Sequence, residues 1–314
     1  MIVAITGGTG FIGRALVSRH LELGDEVRVL TRRSFGEAGL PTSVRLWQDD
    51  LVNPVNLQPF VEGVDILYHC AAEINDDKKM LAANVNGTKN LVKAAEGKIK
   101  HWVQLSSVGV YGTHVSGVVT EETRIAPVNV YEESKAIADK TVIEASQRNS
   151  FTYSILRPSK VYGPGMKNDV LFRLVSIIDR GFFFFIGKPG AAANYIHVDD
   201  VVGGLIMCGN MPAARNRVYI ISDYRTIENL VAIISQSLNK AVPHLRIPEV
   251  LARLAARLTS FIPNNPLTEQ RVNAMVKRAK YSTERMQSEL GYRHSVSMED
   301  GIRELVRVYQ EGRS

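Results

Sequence analysis

Four apolar residues, Ile2-Val3-Ala4-Ile5, run directly into Thr6-Gly7-Gly8-Thr9-Gly10-Phe11-Ile12-Gly13, and helix-forming sequence follows at once. The order is strand, glycine loop, helix. Glycine lets a backbone approach a diphosphate closely and lets the helix pack tightly on the strand. The helix N-terminus adds unpaired N–H groups and the positive end of its dipole. Gly8-x-Gly10-x-x-Gly13 alone is a weak pattern, but its flanking strand and helix supply the context that a dinucleotide site requires. Gly7, Gly10, Phe11, Ile12 and Gly13 are therefore the first candidate cofactor-binding residues.

Strand-type runs recur at Glu26 to Leu30, Val64 to Tyr68, Trp102 to Leu105 and Phe151 to Leu156, with helix-compatible sequence between them. Such alternation predicts an α/β fold with a doubly wound parallel sheet covered on both faces. One helix is expected from Asp76 to Glu96, stopped by Gly97. Another is expected from Val130 to Ala145, with Val130, Ile137 and Val142 on its buried face. After Arg157-Pro158 the rhythm changes. Gly163-Pro164-Gly165 reads as a turn, Asn168 as the cap of a helix reaching Asp179, and Tyr195 to Val198 and Val218 to Ile221 as short strands. The C-terminal stretch reads as mostly helical, broken by Pro243, Pro248, Pro263 and Pro266. The expected division is a dinucleotide-binding domain over residues 1–165, with a returning segment at about 191–222. A smaller, mostly helical substrate domain would comprise 166–190 and 223–314 and close a cleft over the C-terminal edge of the sheet.

The bulk numbers narrow the class. A chain of 314 residues with 45% hydrophobic and 22% charged residues has the balance of a globular protein with a substantial core. Its two cysteines, Cys70 and Cys208, lie in apolar surroundings far apart in sequence, which argues against a disulfide framework and fits a reducing compartment. No apolar run approaches a membrane span, and a strand beginning at Met1 is read as leaving no room for a cleavable signal, so the expectation is a cytoplasmic enzyme without a membrane partner. The net charge of +6 is concentrated near the C-terminus, where residues 245–293 hold nine Lys or Arg against four Glu. No aromatic interleaving or nucleic-acid motif accompanies this surplus, so nucleic acid is not expected as a partner. A diphosphate-bearing small molecule is compatible with it.

Cofactor choice turns on the end of the second strand. An NAD site usually places an acid there for the ribose 2′-hydroxyl, but this chain has Thr31-Arg32-Arg33. Two guanidinium groups suit a 2′-phosphate, so Arg32 and Arg33 point to NADP, with NAD as the alternative. Asp50, at the end of the third candidate strand and followed by Leu51, is placed to accept from the adenine amino group, although an Asp before a turn is also a local cap.

Tyr131 and Lys135 lie one helical turn apart on one face. A free phenol, with a pKa near ~10, is a poor acid–base group at neutral pH, but a close cation favours the phenolate. Tyr131 would then exchange a proton with a substrate oxygen, and Lys135 would also hold the nicotinamide ribose. Ser107, delivered to the sheet edge by Gln104-Leu105-Ser106-Ser107, would be the second donor to that oxygen.

These parts together resemble an extended short-chain dehydrogenase/reductase of the NAD(P)-dependent epimerase/dehydratase family. The resemblance runs through Thr6-Gly7-x-x-Gly10-x-x-Gly13, His69-Cys70-Ala71-Ala72, Asn84-Val85-x-Gly87-Thr88-x-Asn90-Leu91, Ser107 and Tyr131-x-x-x-Lys135. It continues to Arg157-Pro158-x-x-Val161-Tyr162-Gly163-Pro164-Gly165 and Tyr195-Ile196-His197-Val198-Asp199-Asp200-Val201. It implies a Rossmann fold, a nicotinamide-side contact at Ala71, hydride exchange at a carbon bearing oxygen, and catalysis by Ser107, Tyr131 and Lys135. It also implies a homodimer formed through the helices at about 76–96 and 130–145. Val108-Gly109 replace the Asp-Glu pair of the family's dehydratases, which argues against water loss. The expected reaction is reduction of a ketone to a secondary alcohol, on a nucleotide-linked sugar. A C4 epimerase retaining NAD is the alternative enzyme, and a cofactor-gated regulatory protein the alternative of another class.

Three further features favour plain readings. No metal is expected at His197-Val198-Asp199-Asp200, where Asp199 or Asp200 would cap the following helix. Gly181 to Ile186, with four phenylalanines, reads as a buried strand. Leu251, Leu254, Ala255 and Leu258, in the segment Pro248 to Ile262, read as the stripe of a packing or lid helix.

Overall fold

The computed structural model describes residues 1–113, 116–148, 151–166, 170–259 and 268–312. Seven strands form the main sheet: β1 (Ile2–Thr6), β2 (Glu26–Thr31), β3 (Arg45–Gln48), β4 (Val64–His69), β5 (Ile99–Leu105), β6 (Thr152–Pro158) and β7 (Arg217–Ile221). Their spatial order is β7-β6-β5-β4-β1-β2-β3, and every pairing is parallel. The order reverses between β1 and β4, and an open α/β sheet binds ligands in the crevice at such a switch point.

Both faces of the sheet are covered, which is why its strands are continuously apolar rather than alternating. On one side Val3, Ile5, Ile66, Tyr68, Val103 and Leu105 pack with helices α1 (Phe11–Glu22) and α4 (Val198–Asn210). On the other, Ala4, Leu67 and Trp102 pack with α2 (Gly87–Ala95) and α3 (Val130–Gln147). Successive residues of one strand thus enter different cores, as the two-residue strand period requires. A third core joins Leu171 and Val175 to Leu230, Ile234, Ile302 and Leu305, from helices Val170–Asp179, Ile227–Ser237 and Met298–Glu311. A three-stranded sheet lies beside it, with Ala192–His197 between Lys160–Tyr162 (parallel) and Asp223–Thr226 (antiparallel).

Several local expectations change. The helix expected from Asp76 to Glu96 is helical over Asp77–Met80, widens to a π-helical stretch over Leu81–Asn86, and continues as α2. In α3 the buried face is polar: Glu132, Ser134, Lys135 and Asp139 are buried with Ala138, Val142 and Ala145, while Val130 and Ile137 are half-exposed. Internal partners for the polar groups make this burial affordable. In the phenylalanine run only Phe185–Ile186 forms a strand, paired with Arg246–Ile247. Gly181, at φ +75°, turns the chain and leaves Phe182 74% exposed. His197, not Asp199 or Asp200, caps α4, its Nδ1 accepting from the Asp199 N–H at 3.3 Å. Asp200 instead holds the chain near Ser295, accepting from its backbone at 2.6 Å and its hydroxyl at 2.9 Å.

The helix Glu249–Leu258 packs through Ala252 and Ala256, so Leu251, Leu254 and Leu258 face solvent at 54%, 53% and 63% exposure. Asn168, Pro263 and Pro266 lie outside the described residues. Among the described residues no helix is long and apolar enough to cross a membrane.

Candidate active site

The glycine loop connects β1 to α1 at the switch point, and its geometry leaves no room for side chains. A methyl group on Gly13 would collide with the Gly7 carbonyl oxygen, and one on Gly7, at φ +72°, would lie 2.6 Å from the Ala71 nitrogen. Gly10 caps α1 with no side-chain hydrogen bond, so no capping side chain competes for the first-turn N–H groups of Phe11, Ile12 and Gly13. A cradle of bare backbone at a helix N-terminus fits a dinucleotide diphosphate. Ala71 lies against the loop, its N–H donating to Thr6 Oγ1 at 3.3 Å.

Arg32 and Arg33 follow β2 and are exposed, with neither guanidinium in an ion pair among the described residues. Asp50 closes a turn after β3, its Oδ1 accepting from the Val52 N–H at 3.0 Å, so the local-cap reading holds for that oxygen. Leu51 is anchored beside it, its carbonyl accepting from Asn90 at 2.8 Å.

The catalytic candidates meet at the C-terminal edge of the same sheet. Ser107 follows β5 and caps a short turn, its Oγ accepting from the Gly109 N–H at 3.0 Å. Asn129 caps α3, accepting from the Glu132 N–H at 2.9 Å, and so fixes the turn that carries Tyr131. Burial pushes the Tyr131 phenol above its ordinary pKa, opposed by a hydrogen-bonding contact from Ser107, while Asp139 and Glu132 push it further up. The Lys135 ammonium donates to the Leu105 carbonyl at 2.8 Å. Burial lowers its own pKa, opposed by Asp139.

Beneath these residues lies a polar network that spacing alone did not mark as functional. Asp139, one turn beyond Lys135, accepts through Oδ2 from Ser106 Oγ at 2.9 Å and from Arg157 Nε and Nη2 at 3.1 and 2.9 Å. Arg157 Nη1 also donates to Tyr111 at 2.9 Å. One carboxylate thus ties β5, α3 and β6 together directly under the site. Asn84, on the π-helical stretch, donates to Ser134 of α3 at 2.9 Å and to the Glu73 carbonyl at 3.0 Å. It thereby holds the loop after Ala71 to the Tyr-Lys helix. His69 bridges Thr6 and Thr88 at 2.6 and 2.9 Å, and burial lowers its pKa to about 3, so it stays neutral. Burial likewise pushes the Cys70 thiol up to about 12, which removes it as a nucleophile.

A family model for the NAD dependent epimerase/dehydratase family matches residues 3–222. The chain belongs to that family. It is an enzyme of the extended short-chain dehydrogenase/reductase type, as its family and curated relatives indicate. It is 26% identical to the 2-alkyl-3-oxoalkanoate reductase of Shewanella oneidensis, an alignment covering 96% of this chain and 84% of the relative. It is 27% identical to the UDP-glucose 4-epimerase of Vibrio cholerae, covering 82% of this chain and 81% of that one. Its fold matches UDP-glucuronic acid 4-epimerase from Bacillus cereus, a structure in complex with NAD, at a TM-score of 0.76 and 19% identity over 98% of this chain and 100% of the other.

Proposed function

We propose that this enzyme is an NADP-preferring oxidoreductase that interconverts a ketone and a secondary alcohol, with Ser107, Tyr131 and Lys135 as its catalytic residues. The observation that carries the reading is the convergence of the glycine cradle, Ser107 and the Tyr131–Lys135 turn on one sheet edge. A bound nicotinamide supplies or accepts a hydride at the substrate carbon. Ser107 and Tyr131 hold the oxygen on that carbon; Tyr131 gives it a proton in reduction and takes one back in oxidation. Lys135, anchored on Leu105, holds the nicotinamide ribose, and Arg32 and Arg33 take the 2′-phosphate.

The substrate read from the basic C-terminal half and from relatives named for UDP-sugars is a nucleotide-linked sugar. A second reading, a 3-oxo carboxylate, is favoured by the name of the Shewanella relative. Two copies pair through the outward faces of α2 and α3, which light scattering on the purified protein tests. The decisive assay is NADPH oxidation, with NADH beside it, over a panel of nucleotide-linked keto sugars and 3-oxo acids. Turnover with NADPH at higher kcat/KM than with NADH supports the assignment. NAD released on denaturing the protein would mark a C4 epimerase instead.

A further inference from the structure

Glu132 follows Tyr131 in the first turn of α3, yet its side chain is buried, at 7% exposure. Its Oε2 accepts from the Val128 N–H at 2.9 Å, while the Glu132 N–H donates to Asn129 Oδ1 at 2.9 Å. That exchange caps the helix, and an uncharged amide would cap it as well. Oε1 has no hydrogen bond among the described residues, and no cation pairs with the carboxylate there. A buried carboxylate with one partner is costly to hold, so capping alone does not account for it.

Its surroundings do. A methyl group built on Gly109 would lie 3.0 Å from Glu132 Cγ, 3.7 Å from its Cδ and 3.3 Å from Ser107 Oγ. Glu132 and the Ser107 hydroxyl therefore flank one point in space, and the missing side chain at Gly109 leaves room for both. The Gly109 N–H also donates to Ser107 Oγ at 3.0 Å. The segment leading into α3 is pressed on the same turn. There the Ala126 N–H donates to the Val110 carbonyl at 3.0 Å, and a methyl on Gly112 would collide with the Ala126 carbonyl oxygen and lie 3.6 Å from Val128 Cγ1. Val128 is the residue whose N–H Glu132 holds. One side chain thus lies against the turn that presents Ser107 and is bonded to the segment that leads into Tyr131.

We infer that Glu132 is a positioning residue of the reaction, a charged strut that holds Ser107 and Tyr131 at the spacing at which both hydroxyl groups reach one substrate oxygen. The inference rests on the ketone–alcohol reading above and adds a residue to its machinery. Glu132 acts through its two neighbours rather than on the substrate. Its charge has a second consequence. A carboxylate beside a phenol disfavours the phenolate, and Glu132 pushes Tyr131 up as Asp139 does, while Ser107 opposes them. Lys135 lies one turn on in α3, and Lys277 and Tyr281 stand in the field of Glu132 from the strand Ala279–Tyr281 and the residues before it.

The test separates shape from charge. Parent, Glu132→Gln, Glu132→Ala and Gly109→Ala are assayed with NADPH on 3-oxodecanoate and on a UDP-linked 4-keto sugar, and with NADP on the alcohol of whichever ketone the parent reduces. Glu132→Ala is expected to lower kcat about 10–100-fold with NADPH affinity unchanged within about 3-fold, because the misplacement falls on the reacting oxygen and not on the cofactor. Glu132→Gln keeps the shape and the bond to Val128, so its plateau kcat should lie within about 3-fold of the parent, with the urea midpoint unchanged. Having lost the charge, it should still move the rising limb of kcat/KM for alcohol oxidation to lower pH, opposite to the effect of losing the Ser107 contact. Gly109→Ala drives a methyl between Glu132 and Ser107 and should lower kcat about 10-fold. Glu132→Ala vacates that space, so in the double variant the two losses should be less than multiplicative. A Glu132→Ala enzyme that turns over within about 3-fold of the parent, whatever its urea midpoint, reduces Glu132 to a helix cap and overturns the inference. Multiplicative losses in the double variant overturn it as well, as does a Glu132→Gln limb that stays put, which would separate the carboxylate from Tyr131. Should Glu132→Ala fail to fold, Gly109→Ala and Glu132→Gln decide alone. A parent that reduces neither ketone sinks the reading above and the inference with it; parental turnover without the Glu132 effects sinks the inference alone.

Discussion

Two helices of this molecule invert the usual rule of burial. Helix α3 turns a lysine, an aspartate and a glutamate inward, whereas the helix Glu249–Leu258 leaves Val250, Leu251, Leu254 and Leu258 in solvent. The first can do so because its buried groups have partners: Lys135 has the Leu105 carbonyl, Asp139 has Arg157 and Ser106, and Glu132 accepts from the Val128 N–H at 2.9 Å. The second can do so because two alanines suffice to seat it, and each leucine left outside forgoes burial without breaking a contact. The polar stripe of α3 is fixed by its internal partners, while the apolar stripe near the C-terminus contributes little to the fold.

The contrast can be broken in four places. The largest effect is expected at the glycine cradle between β1 and α1. Gly13→Ala drives a methyl into the Gly7 carbonyl and should weaken NADPH binding by ~100-fold or more, read by fluorescence titration; affinity within about 3-fold of the parent would mean the loop has another use. Asp139→Asn leaves the buried Arg157 guanidinium without its counter-charge and should cost about 3–5 kcal/mol in urea unfolding. A loss below about 1 kcal/mol would show that the network is not the tie between β5, α3 and β6.

Ser107→Ala removes the contact that lowers the Tyr131 phenol, so the phenol's pKa rises. On the proposed mechanism alcohol oxidation needs the phenolate and climbs with pH up to that pKa. The rising limb of kcat/KM should therefore move to higher pH in the variant, with a rate loss of roughly 10²-fold. A limb that stays put, or moves down, separates Ser107 from Tyr131. The smallest effect is expected at the outer stripe, where Leu254→Ser should change stability by less than about 0.5 kcal/mol. A larger loss would mean that this leucine is covered in solution.

Much of this was legible in the sequence because it rests on local rules. The run from Ile2 to Gly13 specified strand, cradle and helix. The apolar runs specified the parallel sheet, since strands buried on both faces carry no alternation. Tyr131 and Lys135 were singled out as candidates through their spacing. The supporting network was not, because Asp139 meets Arg157 only after β6 has returned beside β5, and sequence separation hides that meeting. Its one local trace was the four-residue step from Lys135 to Asp139. The outward leucines were misread for the complementary reason: amphipathic spacing defines a stripe but not the direction in which it points. The direction here was set by the small alanines, which allow closer approach than leucine does.

The most direct test of the central assignment is NADPH oxidation by Tyr131→Phe, measured alongside NADPH affinity on a ketone that the parent reduces. The phenyl ring keeps the packing and loses only the proton. The assignment predicts a fall in kcat of roughly 10²–10⁴-fold, with NADPH affinity unchanged within about 3-fold. Turnover close to that of the parent would contradict it.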